Sequence, residues 1–93
     1  MVSQPYVEST SDNGSIVRIF SSAVPSGELK WHWDEEDRLV ELLEPTDWLF
    51  QIDNSLPVDF PDSVLIKRGV WHRVIKGDKN LVVRIKGISD KSI

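Results

Sequence analysis

After its first residues the chain consists of short apolar, often β-branched stretches, and residues 29–34 alternate strictly between apolar and polar side chains, both of which are typical of β-strands. Turn signals separate the stretches, for example Glu44-Pro45-Thr46-Asp47, where proline suits a turn. The predicted strands span residues 15–21, 29–34, 38–43, 48–53, 57–60, 64–67, 70–75 and 81–86. Short strands at nearly regular spacing predict an all-β, single-domain antiparallel sandwich or barrel.

One stretch allows a helix as an alternative. Residues 35–44 place Leu39, Leu42 and Leu43 at helix-like spacing, but Pro45 ends such a helix within about three turns. A strand is therefore favoured there.

The first residues differ in composition from the rest. Residues 1–15 contain four Ser together with Gln, Thr, Asp, Asn and Gly and one Tyr, so they can bury little apolar surface. We predict a flexible or edge-pairing N-terminal arm over residues 1–15 and a β-barrel domain over residues 16–93.

Composition narrows the range of functions. A chain of 93 residues allows one compact domain, and its net charge of −4 disfavours a nucleic-acid partner. There is no apolar run of about 20 residues and no signal-peptide pattern, so we expect no membrane partner and a cytoplasmic location. Because cysteine is absent, thiolate catalysis and cysteine-ligated zinc are excluded. The two histidines, His32 and His72, become the leading candidates for chemistry.

Charge is distributed unevenly along the chain. Residues 28–62 contain eleven acidic and two basic side chains, whereas residues 63–93 contain eight basic and two acidic ones. We expect the second segment to fold back against the first.

The segment around His32 holds the candidate ligands. On a strand, His32 and Asp34 project from one face, and a bend after them would bring Glu36 or Asp37 close. His72 lies on a later predicted strand. If the two strands are neighbours, these residues form a nitrogen and oxygen set suited to Fe(II), Mn(II), Ni(II) or Zn(II). The alternative is a solvated acidic turn beside structural histidines.

Three further polar side chains are candidates for the pocket or its surroundings. Arg38 and Arg73 each follow a ligand segment, where an ion pair would orient a carboxylate; a surface role is the alternative. Gln51 faces away from Phe50 and could line a pocket.

Four tryptophans are many for so short a chain: Trp31, Trp33, Trp48 and Trp71. We expect them to pack an outer sheet face or a homodimer interface, because tryptophan buries a large area. A sugar-stacking platform is the alternative.

The order of these features resembles the cupins, small jelly-roll β-barrels with two metal-binding motifs. Residues 27–32 are similar to the opening of the first motif, and residues 62–72, ending in Gly69-Val70-Trp71-His72, are similar to the second. The resemblance covers residues 27–85. It implies a jelly-roll barrel and a homodimer.

The first motif is altered. Asp34 stands where cupins have a second histidine, and Arg38 and Leu39 occupy the positions of the expected glutamate. The resemblance implies that His32, Asp34, Asp37 and His72 hold one divalent metal ion, with Glu36 as an alternative ligand. Such an anionic set shifts the preference toward Fe(II) or Mn(II).

Two classes of function follow from the resemblance. The first is a metal-dependent protein that binds a small-molecule ligand, with oxygenase or isomerase-type chemistry and no catalytic residue yet assigned. The second is a non-catalytic ligand-binding or assembly barrel without metal. An acid/base enzyme that uses a histidine and a carboxylate without metal is a third reading.

Overall fold

A computed structural model of the chain describes residues 6–11 and 13–88. Apart from a 3-10 helix at Ser26–Glu28, the regular elements described are β-strands, and they form two antiparallel sheets. The strands are β1 (Val7–Thr10), β2 (Ile16–Phe20), β3 (Asp37–Leu42), β4 (Leu49–Ile52), β5 (Val58–Asp59), β6 (Ser63–Ile66), β7 (His72–Ile75) and β8 (Leu81–Ile88). The prediction of an all-β antiparallel barrel is confirmed.

Strands that are distant in sequence lie side by side. The larger sheet has the order β1-β2-β8-β3-β6, and the smaller sheet has the order β5-β4-β7. β8 therefore lies between β2 and β3, with Arg18 opposite Val83 and Val40 opposite Ile85. Because all three strands belong to one sheet, the inward-facing side chains of β2 and β3 line the same interior. The described residues include no helix with the length and apolar character needed to cross a membrane.

The helical alternative for residues 35–44 does not form, because Asp37–Leu42 is the strand β3. It pairs with β8 on one side and with β6 on the other. Its central residue Val40 is buried. Backbone pairing on both edges outweighs the helix-like spacing of the leucines.

The predicted strand over residues 29–34 is also absent. This segment leaves the 3-10 helix and joins the smaller sheet at one point, an isolated bridge between His32 and His72. Each of these residues donates its backbone N–H to the other's carbonyl, at 3.0 and 2.9 Å. Because His72 is the first residue of β7, the segment meets that strand at its beginning and does not run along it.

The core lies between the two sheets. Its buried apolar residues are Val40, Trp48, Phe50, Ile66, Leu81, Val83 and Ile85. Trp48 is 1% exposed, and its indole N–H donates to the backbone carbonyl of Lys79. The prediction that placed Trp48 on an outer face or interface is wrong, since it is a central core residue.

The N-terminal segment pairs at a sheet edge. Val7–Thr10 forms β1 beside β2, with Val7 opposite Ile19 and Thr10 opposite Ile16. Residues 1–5 and 12 of the predicted arm, and residues 89–93 of the predicted domain, lie outside the described residues. The domain boundary at residue 15 stays a prediction.

Asp47 connects two loops across the barrel end. Its carboxylate accepts hydrogen bonds from the backbone N–H groups of Asp78 and Lys79, at 2.8 and 2.9 Å. These bonds stabilise the ionised form and hold the pKa of Asp47 below its usual value of 3.8. A side chain at Gly77 would collide with this carboxylate, so the glycine permits the close approach.

We expect Asp47→Asn to lower the urea midpoint of unfolding at neutral pH, because an amide has one oxygen to accept both bonds. A carboxylate with a lowered folded-state pKa stabilises the fold above its unfolded pKa, and this contribution is lost as the pH falls below 3.8. The difference in urea midpoint between wild type and Asp47→Asn should therefore become smaller under acid conditions. The exposed Asp59→Asn is the matched control. An equal gap at neutral and acid pH would contradict this role.

Candidate metal centre

The two histidines are held next to each other by backbone pairing. His32 and His72 are directly opposite residues of the isolated bridge, so their side chains leave the sheet on the same face. Their ring centroids are 4.2 Å apart. His72 is 5% exposed, whereas His32 lies at the exposed rim.

Both imidazoles are oriented by the same local contact. The Nδ1 atom of His72 lies 2.8 Å from the carbonyl of Val70, and Nδ1 of His32 lies 3.2 Å from the carbonyl of Lys30. Because a carbonyl oxygen can only accept, Nδ1 carries the proton in each bond, so that Nε2 is the nitrogen with the lone pair when the ring is neutral. Histidines that bind metals are commonly oriented in this way.

Asp34 supplies a carboxylate to the same place. Its Oδ2 atom lies 3.5 Å from Nε2 of His72, and its Oδ1 atom lies 3.7 Å from Nη1 of Arg38. Its backbone carbonyl accepts a hydrogen bond of 3.0 Å from the N–H of Gly69. Gly69 has φ +80°, a backbone conformation that residues with side chains rarely adopt. A glycine at this turn therefore helps to position Asp34.

Burial keeps His72 neutral at neutral pH. Loss of solvent is the largest influence, and together with the charges of His32 and Arg38 it lowers the pKa of His72 below 6.5. The Val70 carbonyl and the Asp34 carboxylate act in the opposite direction but do not overcome burial.

The three side chains fit a divalent metal ion. One nitrogen from each of His32 and His72 and one oxygen from Asp34 lie within 4.8 Å of one another. Metal ligands must be deprotonated, and two imidazoles and one carboxylate can each offer a lone pair in that form. Two imidazoles and one carboxylate form the set found in non-haem Fe(II) sites that keep coordination positions open.

Asp37 and Glu36 lie elsewhere. The Asp37 carboxylate accepts hydrogen bonds from the N–H of Arg68 at 2.8 Å and from Nζ of Lys67 at 3.2 Å, and these partners lower its pKa. The Glu36 carboxylate lies against Gly87, so close that a Cβ atom at position 87 would collide with it. Asp37 and Arg38 project from opposite faces of β3, which takes Asp37 away from the triad of His32, Asp34 and His72.

Of the three other predicted polar residues, one faces the cavity and two face the outside of the barrel. Arg38 lines the cavity beside the triad. Gln51 and Arg73 are paired across β4 and β7, and Arg73 Nε donates to Oε1 of Gln51 at 2.8 Å. The Arg73 guanidinium lies 4.9 Å from the Trp31 ring centroid. Since His72 and Phe50 face the cavity, their chain neighbours Arg73 and Gln51 face outward.

A cavity of about 430 Å³ opens next to the triad, between the two sheets. Much of its wall is apolar, including Phe50, Phe60, Ile66 and Val74. The polar part of the wall includes residues that the sequence did not single out: Tyr6, Arg18, Glu28 and Lys30. Residues 18 and 20 of β2 project from the same face, so the position of Arg18 two residues before Phe20 could have indicated that it faces the cavity.

The other three tryptophans are partly exposed. Trp31, Trp33 and Trp71 have 37%, 46% and 46% of their surface accessible. On the outer face, the Trp31 ring lies beside the Arg73 guanidinium. The expected homodimer stays a prediction.

Comparison with solved structures identifies the fold. A cupin domain from Bordetella pertussis Tohama I superposes with a TM-score of 0.63 at 22% identity, covering 96% of this chain and 99% of that one. A Neisseria meningitidis protein superposes with a TM-score of 0.56 at 12% identity, covering 90% and 82%. Comparison with family models and with curated protein sequences finds no match. The chain therefore has a cupin-like fold, as its two motifs indicated.

Proposed function

We propose that this cupin-like protein binds one divalent metal ion through His32, Asp34 and His72, and a small molecule in the adjoining cavity. The observation that carries the proposal is the convergence of three possible ligand atoms within 4.8 Å at the cavity wall. Two imidazoles and one carboxylate are the ligand set of non-haem Fe(II) sites, so Fe(II) or Mn(II) is the proposed ion, although Ni(II) and Zn(II) would bind the same ligands more tightly.

Oxygenase or isomerase-type chemistry belongs to this proposal. When bound, the ion would act as a Lewis acid toward an oxygen atom of the substrate. The residues of the chain hold the site in place. The backbone carbonyls of Val70 and Lys30 accept hydrogen bonds from Nδ1 of His72 and His32 and so orient the two rings. The apolar wall around Phe50 and Phe60 would exclude water from a bound substrate.

A metal-free ligand-binding barrel is the second candidate. It is favoured by the contacts of Asp34, whose carboxylate already has Arg38 and His72 as neighbours. In that case the cavity would bind its ligand without help from an ion, and the histidines would be structural.

Elemental analysis and thermal unfolding separate the two candidates. We expect the purified protein to retain Fe or Mn, or to bind them after treatment with a chelator. An ion present at a hundredfold excess over its Kd stabilises a fold by about 2.7 kcal/mol. In a domain of this size that raises Tm by roughly 10 °C or more. Absence of bound metal, together with no change of Tm on adding Fe(II), Mn(II), Ni(II) or Zn(II), would exclude the metal site.

A further inference from the structure

Arg38 is a cavity-lining arginine whose side chain makes no hydrogen bond to the residues that the structure describes. Its side chain is 26% exposed and lies on the inner face of β3 beside the triad. Among the described residues its nearest anionic atom is Oδ1 of Asp34 at 3.7 Å, which is beyond hydrogen-bond distance. A guanidinium has five N–H donors, so this one retains binding capacity directed at the cavity.

Other arginines of the barrel are already engaged. Arg18 also lines the cavity, but its Nε donates to Glu8 Oε1 at 2.6 Å and its guanidinium lies over the Tyr6 ring. Arg73 donates to Gln51 on the outer face. Arg38 is thus the cavity arginine best placed to bind a ligand.

The charges around the cavity would favour an anion once a divalent ion is bound at the triad. Glu8 compensates the charge of Arg18, and Glu28 and Lys30 on the cavity wall have opposite signs. Asp34 offers a single negative charge to the end of the cavity that contains Arg38. With a divalent cation bound at the triad, that end would have a net positive charge, which attracts an anionic ligand.

An apolar surface continues from the same end. Arg38 lies opposite Ile66 on the neighbouring strand. The Phe50 ring lies 6.1 Å from the His72 ring and 5.8 Å from the Phe60 ring, measured between centroids. A ligand with a charged end at Arg38 would therefore have room for an apolar body along Ile66, Phe50 and Phe60.

We propose that the cavity binds a small carboxylic acid, whose carboxylate is held by Arg38 beside the triad and whose apolar body packs against Phe50, Phe60 and Ile66. The planar guanidinium matches a carboxylate with two parallel hydrogen bonds, a geometry that lysine does not reproduce. This inference rests on the proposed function for the location of the ligand.

The test compares acids with their neutral amides. Benzoate and phenylacetate, with benzamide and phenylacetamide as uncharged counterparts, are titrated calorimetrically into Mn(II)-loaded and metal-free protein. We expect each acid to bind wild type at least about tenfold more tightly than its amide, given the strength of hydrogen bonds to charged groups. Arg38→Gln should weaken binding of the acids about 10- to 100-fold and leave the amides unchanged. Arg38→Lys should fold and recover part of the loss.

Arg73→Gln is the matched control, because it removes an arginine from the outer face of the barrel. It should leave the affinity for both acids unchanged. Equal affinity for acids and amides in wild type would overturn the proposal, as would an Arg38→Gln variant that binds the acids as tightly as wild type.

Titration of Mn(II) without any acid separates this inference from the metal site. We expect Arg38→Gln to keep Mn(II) affinity close to that of wild type. If Mn(II) affinity falls as much as benzoate affinity, Arg38 holds Asp34 in position and the carboxylate proposal fails. If Mn(II) does not bind but the acids still depend on Arg38, the metal site fails and the carboxylate site stands.

Discussion

Replacing His72 by glutamine is expected to abolish binding of the divalent ion while the barrel remains folded. The substitution removes the Nε2 lone pair that lies 3.5 Å from Asp34 and keeps a polar side chain of similar length. Removing a residue that only hydrogen-bonds a metal-binding side chain costs about 10–100-fold in metal affinity. Removing the metal-binding side chain itself should therefore lower the affinity by more than about 100-fold. Calorimetric titration with Mn(II) measures the change, and circular dichroism reports whether the fold persists.

Asp37→Asn is the matched control for this prediction. Asp37 was one of the four ligands that the sequence indicated, but its carboxylate is bound by Arg68 and Lys67. We expect the variant to keep its Mn(II) affinity. A His72→Gln variant that binds Mn(II) as tightly as wild type would show that the triad is not the metal site. An equal loss in Asp37→Asn would restore the four-residue set.

Replacing Trp48 by alanine is expected to cost the protein much of its stability. Trp48 is 1% exposed, packs 5.7 Å from the Phe20 ring and donates its indole N–H to Lys79. Truncation of a buried Trp typically costs about 3–5 kcal/mol, out of a total of about 5–15 kcal/mol for a domain. Urea denaturation of wild type and variant measures the difference in the free energy of unfolding.

Trp33→Ala provides the comparison, because 46% of the Trp33 surface is exposed. Exposed substitutions usually change the free energy of unfolding by less than about 0.5 kcal/mol. Similar losses for the two variants would mean that Trp33 is covered in solution, and a loss below about 1 kcal/mol in Trp48→Ala would contradict its place at the centre of the core.

Much of the strand content could be predicted because strand-forming composition and turn signals are local properties. The segments that became β2, β3, β4, β7 and β8 are short, rich in apolar and β-branched residues and separated by turn signals, and each was assigned within a few residues of its observed ends. Residues 29–34 alternate strictly, yet this segment contacts a neighbouring strand at His32 alone. Alternation shows which residues suit a sheet edge, whereas the number of paired residues depends on how two distant segments overlap.

The candidate site was predicted in part. His32, Asp34 and His72 were expected to converge, and the structure groups them. The expected cause was a pair of adjacent strands, and the observed cause is a single bridge supported by the hydrogen bond from Gly69 to the Asp34 carbonyl. That contact joins residues far apart in sequence, so no local pattern could reveal it.

The sequence by itself determined the chemistry that this protein has available. Without cysteine and with two histidines, a metal could be held only by imidazole and oxygen ligands, and the two histidines lie in the two cupin-like motifs, the first of which is one residue shorter than usual. Tertiary structure decided which of the neighbouring acids joins them. Asp34 faces His72, whereas Asp37 is bound by Arg68 and Lys67, because the register of β3 against β6 and β8 sets the face from which each side chain projects.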